Sequence, residues 1–395
     1  MPHSPEPPVI LQILPALNAG GVERGTVEMT AAIVRGGGTA LVASAGGRLV
    51  PDVEQAGGRH ILMEADRKDP LSLLRNTRIL RELILRETVS LIHARSRAPA
   101  WITRLACRST GTPFLATWHG VHKEGFPGKK LWNGALVSGE RVIAISDYIA
   151  DRLAGRYGAG PDRLRVIPRG ADTDRFSPGA VTDDRLFALA RAWTLPDNAP
   201  VILMPGRLTD WKGQAIVLQA LSRLAGTLPV PTVCVFAGEG PSLARLQQQA
   251  AQAGLSSQVR FPGHCSDMPA AFALATLAVV PSLRPEPFGR VVVEAQAMEC
   301  PVIVTAHGAA RETVIPGKTG LLIPPDDAEA LATAIRQILT MSDEQRQETG
   351  RQARQHVLAR YTTRSMQAAT LGVYDEILGT GLRQTFLKSG EPSWN

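Results

Sequence analysis

Glu286 and Glu294 stand with seven residues between them in Pro-Ser-Leu-Arg-Pro-Glu-Pro-Phe-Gly-Arg-Val-Val-Val-Glu-Ala-Gln-Ala-Met, residues 281–298. The apolar run Leu277–Val280 ahead of them predicts a buried strand. Pro285 and Pro287 keep the following chain extended, because proline disfavours helix in the residue before it. Gly289 then opens a helix whose first turn carries unpaired backbone N–H groups and the positive end of the helix dipole. An anion is attracted to such an end. Glu286 lies just before it and Glu294 on the second turn, and ionised carboxylates accept hydrogen bonds from hydroxyls. The layout is hydroxyl reader, anion site, hydroxyl reader. It matches a sugar joined to a nucleoside through a diphosphate. Taken alone, the two glutamates also fit a helix cap and a solvated helix position.

Arg207 and Lys212 lie in Pro-Gly-Arg-Leu-Thr-Asp-Trp-Lys-Gly-Gln, after the apolar strand Val201–Met204 and before a helix at Gln214–Leu224. Two fixed cations at a strand's carboxyl end can neutralise a departing diphosphate. As surface charges they would be unremarkable, but Gly206 and Gly213 beside them mark a shaped loop. Glu239 stands in Gly-Glu-Gly-Pro after the strand Thr232–Ala237, and Gly263 and His264 follow the strand Val259–Phe261. Both tips point to the same edge as residues 281–298. Gly20 and Gly21 join the strand Val9–Leu14 to the helix Val22–Arg35, where they admit either a phosphate or a close packing turn. The dinucleotide fingerprint Gly-x-Gly-x-x-Gly is absent there, which disfavours a dehydrogenase. His119 and Ser146 follow the strands Phe114–Thr117 and Arg141–Ile145. A structural histidine fits position 119 as well as a ligand contact does. His119 and His122 lack a third ligand for a metal. The four cysteines, Cys107, Cys234, Cys265 and Cys300, have no paired spacing, which fits a reducing cytoplasm and no metal cluster.

These residues sit on a strand–helix rhythm that repeats along the chain. The rhythm predicts an α/β protein with parallel sheets covered on both faces. The 395 residues suffice for about two domains. The turn-rich, proline-rich stretch Asp172–Pro200 reads as the joint. The expected division is a domain at 1–178, a linker at 179–199, a nucleotide-binding domain at 200–360, and a C-terminal segment at 361–395 whose helix Thr362–Leu378 crosses back to the first domain.

Charge is uneven. Residues 1–180 hold 24 Lys and Arg against 17 Asp and Glu, whereas residues 181–395 hold 19 of each. This points either to a solubility surplus or to an anionic partner of the first half, such as a membrane surface or an acidic acceptor. Nucleic acid is disfavoured, since no aromatic-basic binding module is present. Lys123–Leu136 is basic and amphipathic with Phe126, Lys129, Lys130, Leu131 and Trp132, and suits a bilayer surface and a packed face equally. The helix Leu71–Arg86, with Arg75, Arg78, Arg81 and Arg86, is read as packing its apolar face on the sheet. No apolar run approaches the roughly 20 residues of a membrane span, and residues 1–8 lack a signal-peptide core.

The segment Pro-Glu-Pro-Phe-Gly-Arg-Val-Val-Val-Glu resembles the Glu-x7-Glu signature of the retaining GT-B glycosyltransferases of family 4, which have two facing Rossmann-like domains and an interdomain cleft. Supporting matches are Gly20-Gly21-Val22-Glu23-Arg24, Gly206-Arg207 with Lys212-Gly213, Ala237-Gly238-Glu239-Gly240-Pro241 and Gly308-Ala309-Ala310-Arg311-Glu312. The resemblance runs from about Val9 to Leu378. Val166-Ile167-Pro168-Arg169-Gly170-Ala171-Asp172 also matches, with Arg169 where the family usually has Asn.

By position, the resemblance implies Glu294 on the ribose and Glu286 on the transferred sugar. Backbone N–H groups at Phe288, Gly289 and Arg290 would hold sugar and phosphate. Arg207 and Lys212 would hold the diphosphate, with Gly21 approaching it from the first domain. Glu239, Gly263 and His264 would lie around the nucleoside, and His119 near donor sugar and acceptor. The implied reaction is metal-independent, retaining transfer of a hexose from a nucleotide-sugar, GDP-mannose or a UDP-hexose. The acceptor would be a saccharide or lipid-linked saccharide, such as lipopolysaccharide core, at the cytoplasmic side of the membrane. No cofactor is expected. A nucleotide-sugar epimerase, a phosphorylase or a non-catalytic nucleotide-sugar-binding protein on the same fold are the alternatives.

Overall fold

The computed structural model describes residues 6–18, 20–122, 125, 127–227 and 231–390. Residues 1–5 and 391–395, and Lys123 and Phe126 of the basic segment, lie outside the described residues. The chain divides into two compact units: one of residues up to Pro168 together with Arg364 onward, the other of Arg169–Thr363.

The first unit is built on seven parallel strands: β1 Val9–Ile13, β2 Thr39–Ser44, β3 Arg59–Leu62, β4 Leu91–Ala94, β5 Phe114–Trp118, β6 Arg141–Ala144 and β7 Leu164–Val166. Their order in the sheet is β3-β2-β1-β4-β5-β6-β7. Each parallel pair needs a crossover, and helices supply most of them. Covering both faces explains why the inner strands are apolar almost throughout: β4 and β5 are buried at every position. The sequence reading omits β7, a three-residue edge strand that alternation cannot reveal at that length.

The C-terminal helix Thr363–Leu378 and the following Leu382–Lys388 belong to this unit's core. Leu371, Tyr374, Leu382 and Phe386 pack with Ile10, Ile33, Leu91 and Leu115. A polar network threads this apolar contact. The Tyr374 hydroxyl is 2.7 Å from His93 Nδ1, and His93 Nε2 is 2.7 Å from Thr117 Oγ1. Arg95 Nε donates to Gln12 Oε1 at 2.9 Å, and Gln12 Nε2 donates to Thr30 Oγ1 at 3.0 Å. All these side chains are buried, and hydrogen bonding offsets the cost of burying them.

The helix Pro70–Arg86 divides its apolar residues between two faces. Leu80, Leu83 and Ile84 are buried, as the packing reading expects, whereas Leu71, Leu74 and Leu85 stand exposed beside Arg75, Arg78 and Arg81.

The second unit holds six parallel strands: β8 Val201–Pro205, β9 Val233–Ala237, β10 Val259–Gly263, β11 Leu277–Val280, β12 Val302–Thr305 and β13 Leu321–Ile323. Their order is β10-β9-β8-β11-β12-β13. The core joins Ile202, Phe236, Val279 and Ile303 of the sheet to Val217, Leu221, Leu331 and Ile335 of the helices Gln214–Leu224 and Ala328–Leu339. β12 is missing from the sequence reading, although Val-Ile-Val-Thr after Pro301 is a β-branched run and a legible signal. β10 extends through Pro262 to Gly263 with an irregular register, which an edge strand tolerates.

The stretch 179–199, read as a linker, is a packed part of the second unit. The helix Asp183–Ala192 lies on Met268–Leu274. Arg185 Nη2 and Nε donate to the two oxygens of Asp267 at 2.6 and 2.8 Å. Trp193 is buried at the helix end, and Phe176 meets Phe272 at 6.3 Å between ring centres. The ion pair and the aromatic contacts hold this proline-rich, turn-rich stretch, read as the joint, against Met268–Leu274. Asp267 is also the N-cap of Met268–Leu274, accepting the Ala270 N–H. Its bonds to Arg185 first, and to that N–H, hold its carboxyl below the ordinary carboxylate range.

Candidate active site

In the second sheet the strand order reverses between β8 and β11, so the loops leaving these two strands stand side by side at their carboxyl ends. Such a switch point is where an open parallel sheet binds ligands. The loop after β8 carries Arg207 and Lys212, and the loop after β11 carries Ser282, Glu286 and Gly289.

Backbone contacts fix these loops to each other. The Leu283 N–H donates to the Trp211 carbonyl at 2.7 Å. Gly213 has φ +87°, and a Cβ there would stand 2.0 Å from the Pro281 carbonyl oxygen. Glycine alone permits both the left-handed backbone and that approach. Lys212 is thereby delivered to Glu286: Nζ lies 2.6 Å from Oε1, with the two side chains 17% and 18% exposed. The buried Ser282 hydroxyl donates to the same oxygen at 2.5 Å. Among the described residues, Glu286 Oε2 receives no hydrogen bond.

A third loop, after β12, grips the Glu286 backbone. The Ala309 N–H donates to the Glu286 carbonyl at 3.1 Å. Gly308 has φ +60°, and a Cβ on it would be 2.4 Å from that carbonyl oxygen. Glu286 is therefore held at its carboxylate by β8 and β11 loop residues and at its backbone by the β12 loop.

Gly289, with φ +94°, is the N-cap of the helix Arg290–Ala297, which has no side-chain cap. Glu286 is thus not a capping residue. Glu294 is not a solvated one either: its side chain is 14% exposed and accepts from Arg290 Nη2 at 2.9 Å. Phe288 is buried edge-on against Tyr361, whose hydroxyl donates to the Glu312 carbonyl at 2.6 Å. A cavity of about 10 Å³ lies between the β11 and β12 loops, lined by Ser282, Glu286, Phe288, Gly289, Thr305 and His307 together with valines.

Two profiles match the chain: the one described as Glycosyl transferases group 1 over residues 188–356, and the one described as Glycosyltransferase Family 4 over 19–175. A glycosyltransferase of solved structure from Rickettsia africae is 33% identical, with a TM-score of 0.87 over 94% of this chain and 99% of that one.

The chain belongs to the group 1 glycosyltransferases.

A GDP-mannose-dependent alpha-(1-6)-phosphatidylinositol monomannoside mannosyltransferase of Mycolicibacterium smegmatis is 30% identical over 66% of this chain and 70% of its own length. D-inositol 3-phosphate glycosyltransferase 1 of Catenulispora acidiphila is 32% identical, and the match spans 63% of each chain, so less than two thirds of that relative is covered. The Anabaena protein HepE, solved with UDP, is 22% identical with a TM-score of 0.81 over 93% of this chain and 100% of that one, a likeness of fold. The two parallel-sheet, Rossmann-like halves are those of a GT-B protein.

The other expected group 1 positions are dispersed along the edges of their own sheets. Arg207 is exposed, and its carbonyl accepts from Gln214 Nε2 at 3.2 Å. The Leu208 N–H donates to the Glu239 carbonyl at 2.9 Å, tying the β8 and β9 loops. A Cβ on Gly263 would lie 3.8 Å from Glu239 Oε1, so these two adjoin, while His264 is exposed. In the first unit, Gly20 is the N-cap of the helix Gly21–Arg35 directly beyond β1, and half-buried His119 follows β5. Arg169, the departure from the family pattern, is buried in the second unit. Ser282 and His307 are site residues that the sequence reading missed. Ser282 had a signal in its place four residues before Glu286, and His307 one in its place directly before Gly308.

No helix among the described residues is long and apolar enough to cross a membrane, and these residues contain no group of three or more His, Cys, Asp or Glu arranged to hold a metal ion.

Proposed function

We propose that this protein transfers a hexose from a nucleotide-sugar to a saccharide or lipid-linked acceptor of the cell envelope, retaining the anomeric configuration and without a metal cofactor. The observation that carries the reading is the Lys212–Glu286–Ser282 cluster at the switch point of the second sheet. The GDP-mannose dependence and the inositol-lipid acceptor of the Mycolicibacterium smegmatis relative support a nucleotide-sugar donor and a lipid-linked acceptor.

The difficult step is cleavage of the bond between the anomeric carbon and the diphosphate oxygen. Positive charge grows on the sugar and negative charge on the leaving group. Lys212 uses one of its three N–H donors on Glu286 and has others for a phosphate oxygen. Arg207 and the amino end of Arg290–Ala297 add positive potential to the same leaving group. Glu286, with Oε1 occupied and Oε2 unbonded, accepts from sugar hydroxyls, and Glu294 from the ribose. Glu239, Gly263 and His264 line the nucleoside. The exposed Leu71, Leu74 and Leu85 beside Arg75, Arg78 and Arg81 suit an anionic lipid surface at which such an acceptor is found.

The test is release of nucleoside diphosphate from GDP-mannose or UDP-glucose with and without phosphatidylinositol-type and lipopolysaccharide-core acceptors. Acceptor-dependent release that persists in excess chelator is expected. Release without acceptor, interconversion of the sugar, or activity restored only by a divalent ion would overturn the reading. Product anomers read by NMR decide retention.

A further inference from the structure

His307 is a half-buried histidine that the proposed reaction does not use. Both of its ring nitrogens are inaccessible to solvent and lack a hydrogen-bond partner among the described residues. Leaving buried polar atoms unpaired is costly, and such atoms call for a specific explanation. His307 lines the same cavity as Glu286, Ser282 and Gly289. At about 10 Å³ the cavity admits one hydroxyl-sized group and no more. Its remaining walls are largely apolar, from Val280, Phe288, Val292 and Val304.

The backbone holds the ring in place. The His307 N–H donates to the Thr305 carbonyl at 2.8 Å, and its own carbonyl accepts the Ala310 N–H at 3.3 Å. Its neighbours Gly308 and Ala309 are the residues that grip the Glu286 backbone. Histidine and glutamate are therefore set by one rigid junction.

We propose that His307 is a specificity-determining contact that binds a single hydroxyl of the transferred sugar in this cavity. The inference rests on the donor-site reading above. A neutral imidazole donates from one nitrogen and accepts at the other, and a hydroxyl does both, so either tautomer can make the bond. Glu286 accepts from the same or the adjacent hydroxyl. A sugar with hydrogen at that carbon, or with the hydroxyl turned to the opposite face, would leave the ring unpaired against valines. Sites built to bond a hydroxyl reject analogues lacking it far more strongly than apolar pockets reject a methylene.

The test measures dissociation constants by calorimetry for UDP, GDP, UDP-glucose and GDP-mannose with wild type, His307→Ala and His307→Asn. His307→Ala is expected to bind the matching nucleoside diphosphate as wild type does and its sugar nucleotide about tenfold or more weakly. His307→Asn, which keeps a donor and an acceptor, restores part of the loss. Its milder change of shape also keeps the test available if the alanine variant folds poorly. Equal binding of the sugar nucleotide by wild type and both variants overturns the His307 contact alone. Equal weakening for the bare diphosphate also overturns it, because the residue then only shapes the loop. Wild type that binds none of the four ligands overturns the donor-site reading and this inference together.

Discussion

Lys212 and Glu286 neutralise each other in a setting that excludes most of the solvent. Removing one partner of such a pair leaves an uncompensated charge, whereas removing both leaves none. Lys212→Met and Glu286→Gln are each expected to lower stability by about 1–2 kcal/mol, and the double variant by less than the sum. A double-mutant cycle in urea measures that coupling. Each single variant also loses transfer by about two orders of magnitude or more, read as kcat/KM with the donor that binds. Near-wild-type turnover in either would remove Lys212 and Glu286 from the chemistry.

The three loops at the switch point work as one element because their backbones touch. At Gly213 and Gly308 a side chain meets a carbonyl oxygen at 2.0 and 2.4 Å, respectively. Both residues also have positive φ, where a Cβ adds strain of roughly 1–3 kcal/mol. Gly308→Ala is therefore expected to lower the melting temperature and to weaken sugar-nucleotide binding together. A variant with unchanged stability and binding would show that the β12 loop does not hold Glu286.

The helix Asp183–Ala192 offers a pH test at the same scale. Asp267 is held below the ordinary carboxylate range by Arg185 and by the Ala270 N–H. Its folded value is the lower one, so its contribution is complete above the ordinary value of about 4. The contribution is lost as pH falls through the depressed folded value. Asp267→Asn is expected to cost about 1 kcal/mol at neutral pH, allowing for a partly exposed ion pair and a weakened cap. Melting curves of wild type and variant from pH 7 to 3 should converge at the acid end.

At the scale of the chain, its last helices complete the first unit's core. Tyr374 joins His93 in a wholly buried network, so Tyr374→Phe removes a hydrogen bond from a buried ring nitrogen. A loss of about 1–3 kcal/mol is expected in chemical denaturation. Deleting residues from Arg364 onward uncovers Ile10, Leu91 and Leu115, and should abolish the first unit's cooperative melting. A truncated chain that melts as sharply as the full one would contradict this packing.

Much of the molecule is legible in the residue order, because the signals involved are local. Buried parallel strands such as Val201–Pro205 need continuous apolar runs. Glycines mark the turns at the carboxyl ends, and proline and glycine set the start of Arg290–Ala297. Glu286, Glu294, Arg207 and Lys212 stand out by type and spacing for the same reason. Short strands such as Leu164–Val166 give too few positions for a pattern to declare itself. What only the tertiary structure decided is contact across long stretches of chain. Strand order brings Lys212 to Glu286 across 74 positions, and helix packing brings Arg185 to Asp267 across 82. Strand order also sets His307 beside Glu286, in a cavity walled by residues from the β11 and β12 loops. Sequence spacing carries no record of such meetings, since they depend on which strands lie side by side.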